Sequence, residues 1–125
     1  MAVARGLNIR VVDSLFDPDR PSDKVAQVRQ RTSSRPLYRV FLYLEGPDLP
    51  FVQQVTYKLH ETFSPDSVTV VRDISNPRCK FEIWTWGVFE VRAVIEDRQG
   101  RTFSTSRYLE YASQVGDPEV HFKKT

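Results

Sequence analysis

Alternation of hydrophobic and polar residues with a period of two is the feature that most limits how this chain can fold. The clearest run covers residues 88–96, where one face carries Glu90, Arg92 and Glu96. The opposite face consists of Phe89, Val91, Ala93 and Ile95. Successive side chains of a β-strand point to opposite sides, so the pattern predicts a strand with one buried face. Helical spacing is nearly absent, and the sequence therefore predicts an all-β protein.

Similar runs recur between turn signals along the chain. They cover residues 7–11, 24–31, 37–45, 51–60, 68–72, 79–86, 88–96 and 101–109. Gly46-Pro47 and Asn76-Pro77 mark turns, and residues 97–100 predict a hairpin between the last two runs. About seven or eight short strands favour a two-sheet antiparallel immunoglobulin-like β-sandwich, with a small barrel as the alternative.

The strand pattern leads to two more specific predictions, one about the run 51–60 and one about the C-terminal tail. In the run 51–60, the residues predicted to face inward are Phe51, Val55, Tyr57 and Leu59. The tail that begins at Gly116 is predicted to fray, because chain ends are commonly poorly ordered.

Composition favours one domain that spans residues 1–125. The 18 Lys and Arg residues nearly balance the 16 Asp and Glu residues, so the net charge is only +2 and nucleic acid is not an expected partner. Cys79 is the sole cysteine, which excludes an intrachain disulfide and any site built on several thiolates. With no apolar run long enough to cross a bilayer, we expect a cytoplasmic protein, or a nuclear one in a eukaryote.

Signatures of catalysis are poor in this sequence. None of the five glycines belongs to a phosphate-binding loop, and His60-Glu61 lacks the second histidine of a zinc-binding helix. A Cys79/His60 pair or a Ser/His/Asp triad stays open as a minor alternative, because such partners meet in space rather than in sequence. We expect a protein that is not an enzyme and needs no cofactor or metal.

Two segments stand out from this background. One is Val55-Thr56-Tyr57-Lys58-Leu59-His60-Glu61-Thr62-Phe63, in which a strand runs into a polar turn that ends in an aromatic residue. The other is Phe81-Glu82-Ile83-Trp84-Thr85-Trp86-Gly87-Val88-Phe89-Glu90-Val91, which places an aromatic residue beside a glycine between two strands. Over residues 37–110 the sequence resembles the YEATS domain family, and its layout is closer to the prokaryotic branch.

This resemblance implies an immunoglobulin-like sandwich that binds acylated lysine without catalysis. Phe63 and Trp86 would form the two walls of an aromatic slot. Thr62 would supply a hydroxyl to the acyl amide, and His60 would position that turn. The backbone around Trp86 and Gly87 would donate to the acyl carbonyl. The expected partners are an acylated-lysine protein or peptide, a small acyl ligand, or other members of the same assembly.

The sequence also departs from the family pattern near the second wall. Thr85 stands where the family has a glycine, and a β-branched residue does not adopt positive φ at low cost. Trp84 is a possible additional wall. These departures support an alternative function, a structural protein–protein interaction domain of a larger assembly, such as a bacterial signalling complex, with no functional acyl-lysine slot.

A group of arginines forms a further feature of the N-terminal third. Arg29, Arg31, Arg35 and Arg39 are interpreted as a solvated surface. The alternative is that they dock an acidic partner or membrane headgroups.

Overall fold

In the computed structural model of this chain, residues 7–20, 22, 25–29 and 35–125 are described. They contain nine strands: β1 (Arg10–Ser14), β2 (Val25–Arg29), β3 (Leu37–Glu45), β4 (Val52–Lys58), β5 (Ser67–Val71), β6 (Phe81–Thr85), β7 (Glu90–Asp97), β8 (Thr102–Tyr108) and β9 (His121–Lys124). The helical elements are a 3₁₀ turn, Leu49–Phe51, and a short helix α1, Ala112–Val115. Neither of these helices is long and apolar enough to cross a membrane.

The strands form two sheets. One is antiparallel with the order β5-β4-β7-β8, and the other has the order β1-β3-β2-β9, with β6 also paired to β3. The pairing of β2 with β9 is parallel, whereas β3 pairs with β2 and β6 in antiparallel fashion. The predicted fold class, a two-sheet immunoglobulin-like β-sandwich, is confirmed.

The chain divides into two compact units, each assembled from separate stretches of sequence. The first unit lies within residues 1–12, 43–80 and 89–108. The second unit lies within residues 13–42, 81–88 and 109–125. The sequence-based expectation of a single domain stays a prediction.

The core of the first unit follows the predicted alternation. Its fully buried side chains include Val55 and Tyr57 on β4 and Val91, Ala93 and Ile95 on β7. The Tyr57 hydroxyl donates a 2.7 Å hydrogen bond to the carbonyl of Cys79, which is held at φ 52°. Burial raises the pKa of the Cys79 thiol to about 11, so the reactive thiolate is disfavoured at neutral pH.

The prediction for β4 is wrong at Phe51. This side chain is 55% exposed, and Val52 is buried instead. A shift in the β4–β7 register between Val52 and Gln54 explains the difference. Such a bulge adds one residue to the strand. Even-numbered residues then face the core on one side of the bulge, and odd-numbered residues face it on the other.

The tail provides a second correction. Instead of fraying, His121–Lys124 forms β9 and pairs along β2, with Val25 opposite His121 and Val28 opposite Lys124. Backbone pairing holds this strand together with an edge-to-face contact between Phe122 and Tyr38, whose ring centroids are 5.8 Å apart.

Candidate functional site

The first candidate wall lies in the turn between β4 and β5. The Leu59 N–H donates to the Asp66 carbonyl at 2.7 Å, which closes the base of the loop. The Phe63 N–H donates to the His60 carbonyl at 3.0 Å, which shapes its tip. Phe63 is half-buried, whereas His60 and Thr62 are exposed, so the polar groups of these two residues are accessible to a ligand.

The hydrogen bonds of this turn fix the polarity of the Thr62 hydroxyl. The Thr62 backbone N–H lies 3.2 Å from Nδ1 of His60, and because an N–H can only donate, Nδ1 acts as the acceptor. The Thr62 hydroxyl lies 2.9 Å from the same nitrogen and therefore also donates to it. The lone pairs of the hydroxyl oxygen stay available to accept a hydrogen bond from a ligand.

Phe89 packs against this turn. Its ring centroid lies 5.3 Å from that of Phe63 and 6.0 Å from that of His60, with tilted and edge-to-face geometry respectively. Aromatic pairs at such separations are favourable. The packing restrains the ring plane of Phe63 while leaving part of the ring accessible.

A polar cavity adjoins the same turn. Its volume is about 370 Å³, and it is lined by Lys58, Leu59, Asp66, Ser67, Glu90 and Arg92. Its lining contains two basic and two acidic side chains, so it does not present a strong electrostatic field of one sign.

The second candidate wall lies just after β6. Trp86 is 55% exposed, so it belongs to the surface rather than to the core. Thr85 is the last residue of β6 and is not among the residues with positive φ, so it fits the strand without the strain that its position in the motif suggested. Its hydroxyl lies 3.2 Å from the Gly87 carbonyl and 3.3 Å from the Gly87 nitrogen, which closes the turn around Trp86.

Two residues outside the motif hold this turn in place. The Tyr111 hydroxyl donates a 2.8 Å hydrogen bond to the Gly87 carbonyl. The Tyr111 N–H donates in turn to the carboxylate of Asp13 at 2.8 Å, as does the Glu110 N–H. Burial raises the pKa of Tyr111 to about 12, so its hydroxyl stays a donor at neutral pH.

Arginines cover both tryptophan rings. The guanidinium carbon of Arg35 lies 4.6 Å from the ring centroid of Trp86, and that of Arg29 lies 4.4 Å from the ring centroid of Trp84. Cation–π contacts of this geometry are attractive. One face of Trp86 is therefore occupied by Arg35, and Trp84, the possible additional wall, is half-buried beneath Arg29.

The structure thus brings the predicted residues together in two groups. His60, Thr62 and Phe63 share one turn of the first unit, and Trp86 and Gly87 share one turn of the second unit. That the two groups face a common ligand stays a prediction. In the part of the chain that the structure describes, no three His, Cys, Asp or Glu side chains are grouped to hold a metal ion.

Sequence reasoning missed Asp13, Tyr111 and the role of Arg35. Asp13 and Tyr111 are 98 residues apart, and no local pattern joins them. The spacing of Arg35 gives no sign that its guanidinium lies on Trp86. In the sequence, Asp13, Ser14 and Leu15 look like the polar end of an edge strand. Nothing in that pattern indicates that Asp13 is buried.

The fold is a small β-sandwich in which Phe63 and Trp86 lie on two short turns and are at least partly exposed. The prokaryotic YEATS domain model matches residues 38–110, more than half of the chain, and the chain belongs to that family. Among solved structures, it is similar to the Yaf9 YEATS domain recognizing an H3K122suc peptide, with a TM-score of 0.55 and 12% identity. That alignment covers 91% of this chain and 82% of the other. A comparison with curated proteins finds no match.

The Tyr111 hydroxyl yields a prediction about the second wall. Tyr111→Phe keeps the ring, which packs 6.1 Å from Tyr38, but leaves the Gly87 carbonyl without its shortest hydrogen bond. We expect a loss of about 1 kcal/mol in the free energy of unfolding, measured in urea. Any ligand that contacts Trp86 should also bind several-fold more weakly.

Tyr108→Phe, at a 62% exposed tyrosine, is the matched control and should change neither the stability nor the affinity. An unchanged affinity in Tyr111→Phe would show that this bond does not position Trp86.

Proposed function

We propose that this chain is a non-enzymatic binding module that reads acylated lysine, or a chemically similar neutral acyl ligand, between Phe63 and Trp86. The observation that carries the proposal is the family match over residues 38–110, which spans both aromatic turns. The proposal treats residues 1–125 as one module. It also places the module in the cytoplasm, or in the nucleus if the source is a eukaryote, because a lone cysteine fits a reducing compartment.

The accessibility of both rings supports this function. Phe63 is half-buried and Trp86 is 55% exposed, so neither ring is fully buried in the core. Arg35 covers one face of Trp86, and in our proposal the ligand stacks on the opposite face. Phe63 is backed by Phe89, so it can meet a planar group without reorganising.

The chemistry of an acylated lysine suits such a slot. Acylation removes the charge of the ammonium group, and a flat, neutral amide stacks between rings without the penalty of burying a charge. An apolar acyl chain adds hydrophobic burial. Free lysine should therefore be excluded.

The buried amide must also find hydrogen-bond partners, or the gain from stacking is lost. Its N–H is proposed to donate to the Thr62 hydroxyl oxygen, whose own proton is directed at His60. Its carbonyl is proposed to accept from the backbone next to Trp86 and Gly87. The Gly87 N–H is held only weakly by Thr85, at 3.3 Å, so a ligand carbonyl can compete for it.

Tryptophan fluorescence tests this function. In a Trp84→Phe background, Trp86 is the only indole, so its emission reports on the proposed wall alone. We expect saturable changes with acetyl-lysine and crotonyl-lysine peptides, and none with the same peptide carrying free lysine. A fold that is normal by circular dichroism, with no response to either acyl peptide, would contradict the proposal and favour the alternative of a structural interaction domain.

A further inference from the structure

A cluster of arginine and aromatic side chains lies on β2, β3 and β6, within the second unit. Arg39 is directly opposite Trp84 in the β3–β6 register. The guanidinium carbon of Arg29 lies 4.4 Å from the ring centroid of Trp84, and that of Arg39 lies 4.7 Å from the ring centroid of Phe41. We call Arg29, Arg39, Phe41 and Trp84 the arginine–aromatic cluster.

Arg39 and Phe41 lie on the side of β3 opposite to that of Val40 and Leu42. Val40 and Leu42, which alternate with Arg39 and Phe41, are both fully buried. On the cluster side, Phe41 is only 3% exposed, Arg39 and Trp84 are half-buried, and Arg29 is exposed. The exposed charge of the cluster is therefore that of Arg29.

Among the described residues, no carboxylate forms an ion pair with Arg29 or Arg39, and Glu82 lies opposite Phe41 in the β3–β6 register. The ion pairs Arg10–Glu45 and Arg101–Asp97 both lie outside the cluster. Nε of Arg39 is buried and has no hydrogen-bond partner in the same described part of the chain. A buried, unpaired N–H of a charged group is costly.

We propose that the arginine–aromatic cluster is a docking surface for a segment of a partner protein rich in Asp and Glu. Stacking on a ring covers the face of a guanidinium and leaves its edge, which carries the N–H donors, free. That edge matches a carboxylate in bidentate fashion. A carboxylate seated there meets the exposed guanidinium of Arg29, beside the half-buried Arg39.

The same geometry disfavours nucleic acid as the occupant. Single strands bind through bases that stack on open aromatic faces. In the cluster the outer faces of Trp84 and Phe41 are covered by arginines, and Phe41 is almost fully buried. The net charge of +2 is also small for phosphate binding.

Charge reversal at Arg29 tests the docking surface with a defined probe. A fluorescently labelled decaglutamate peptide is titrated with the full chain at low salt, and anisotropy is measured. We expect binding that weakens as salt rises, and a loss of about tenfold or more in Arg29→Glu. Arg20→Glu, at an exposed arginine of the second unit outside the cluster, makes the same charge change and should cost about twofold at most.

A second variant separates planar recognition from charge alone. Arg39→Lys keeps the charge but removes the planar donor edge, and it should weaken decaglutamate binding several-fold, with folding checked by circular dichroism. The proposal is overturned if decaglutamate does not bind, or if Arg29→Glu and Arg20→Glu behave alike. It is also overturned if a labelled single-stranded oligonucleotide binds more tightly than decaglutamate.

Discussion

Alanine in place of Trp86 or Phe63 is expected to weaken acyl-lysine binding by about 1–3 kcal/mol for each substitution. The corresponding loss of affinity is about 5-fold to 150-fold, because each 1.4 kcal/mol is a factor of about ten. The physical reason is that each ring supplies one stacking face for the flat amide. Isothermal titration with an acetyl-lysine peptide measures the effect.

The matched control for these substitutions is Phe51→Ala. Phe51 is exposed to the same extent as Trp86, 55%, but it belongs to the 3₁₀ turn rather than to either motif segment. Its removal should leave the affinity for the peptide unchanged. Equal effects of Phe51→Ala and Trp86→Ala would contradict the assignment of Trp86 as a wall. Unfolding of Phe63→Ala would instead assign Phe63 to structural support of the turn.

Asp13→Ala is expected to destabilise the fold by about 3 kcal/mol, since two backbone N–H groups lose their acceptor. Asp13 is only 5% exposed, and its Oδ2 accepts from both Glu110 and Tyr111 at 2.8 Å. Tyr111 is itself buried, so water does not readily replace the carboxylate. The midpoint and slope of guanidinium unfolding measure the change in free energy.

Two further variants calibrate the effect of Asp13. Asp13→Asn keeps a side-chain carbonyl as an acceptor and should lose about half as much stability as the alanine variant. Asp117→Ala removes a carboxylate that caps a single exposed N–H, that of Glu119, and should change stability by about 0.5 kcal/mol or less. If Asp13→Ala resembled Asp117→Ala, the carboxylate of Asp13 would not be what holds residues 110–111.

Local patterns were sufficient to predict much of this fold. Residues 37–45 form β3 with the predicted bounds, because alternation defines the strand and Gly46-Pro47 ends it. The hairpin at residues 97–100 is likewise local, with Gly100 at φ 83°. Phe51 was not predictable, because a bulge depends on the partner strand and not on the alternation of β4 itself.

The candidate site was predictable only where the motif is local. The His60–Phe63 turn and the turn around Trp86 are each formed within a few residues, and the sequence contains both. The residues that hold these turns in place are distant from them in sequence. Tyr111 lies 24 residues from Gly87, whose carbonyl it binds, and Arg35 is also distant in sequence from Trp86. Contacts of this kind arise from topology, which one sequence does not display.

Nuclear Overhauser effects from a bound acetyl-lysine peptide would test the proposed slot most directly. With the acetyl methyl group labelled with ¹³C, we expect cross-peaks from this methyl group and the amide proton to ring protons of both Phe63 and Trp86. Cross-peaks to one ring alone, or to neither ring in a peptide that is demonstrably bound, would contradict an aromatic slot formed by these two turns.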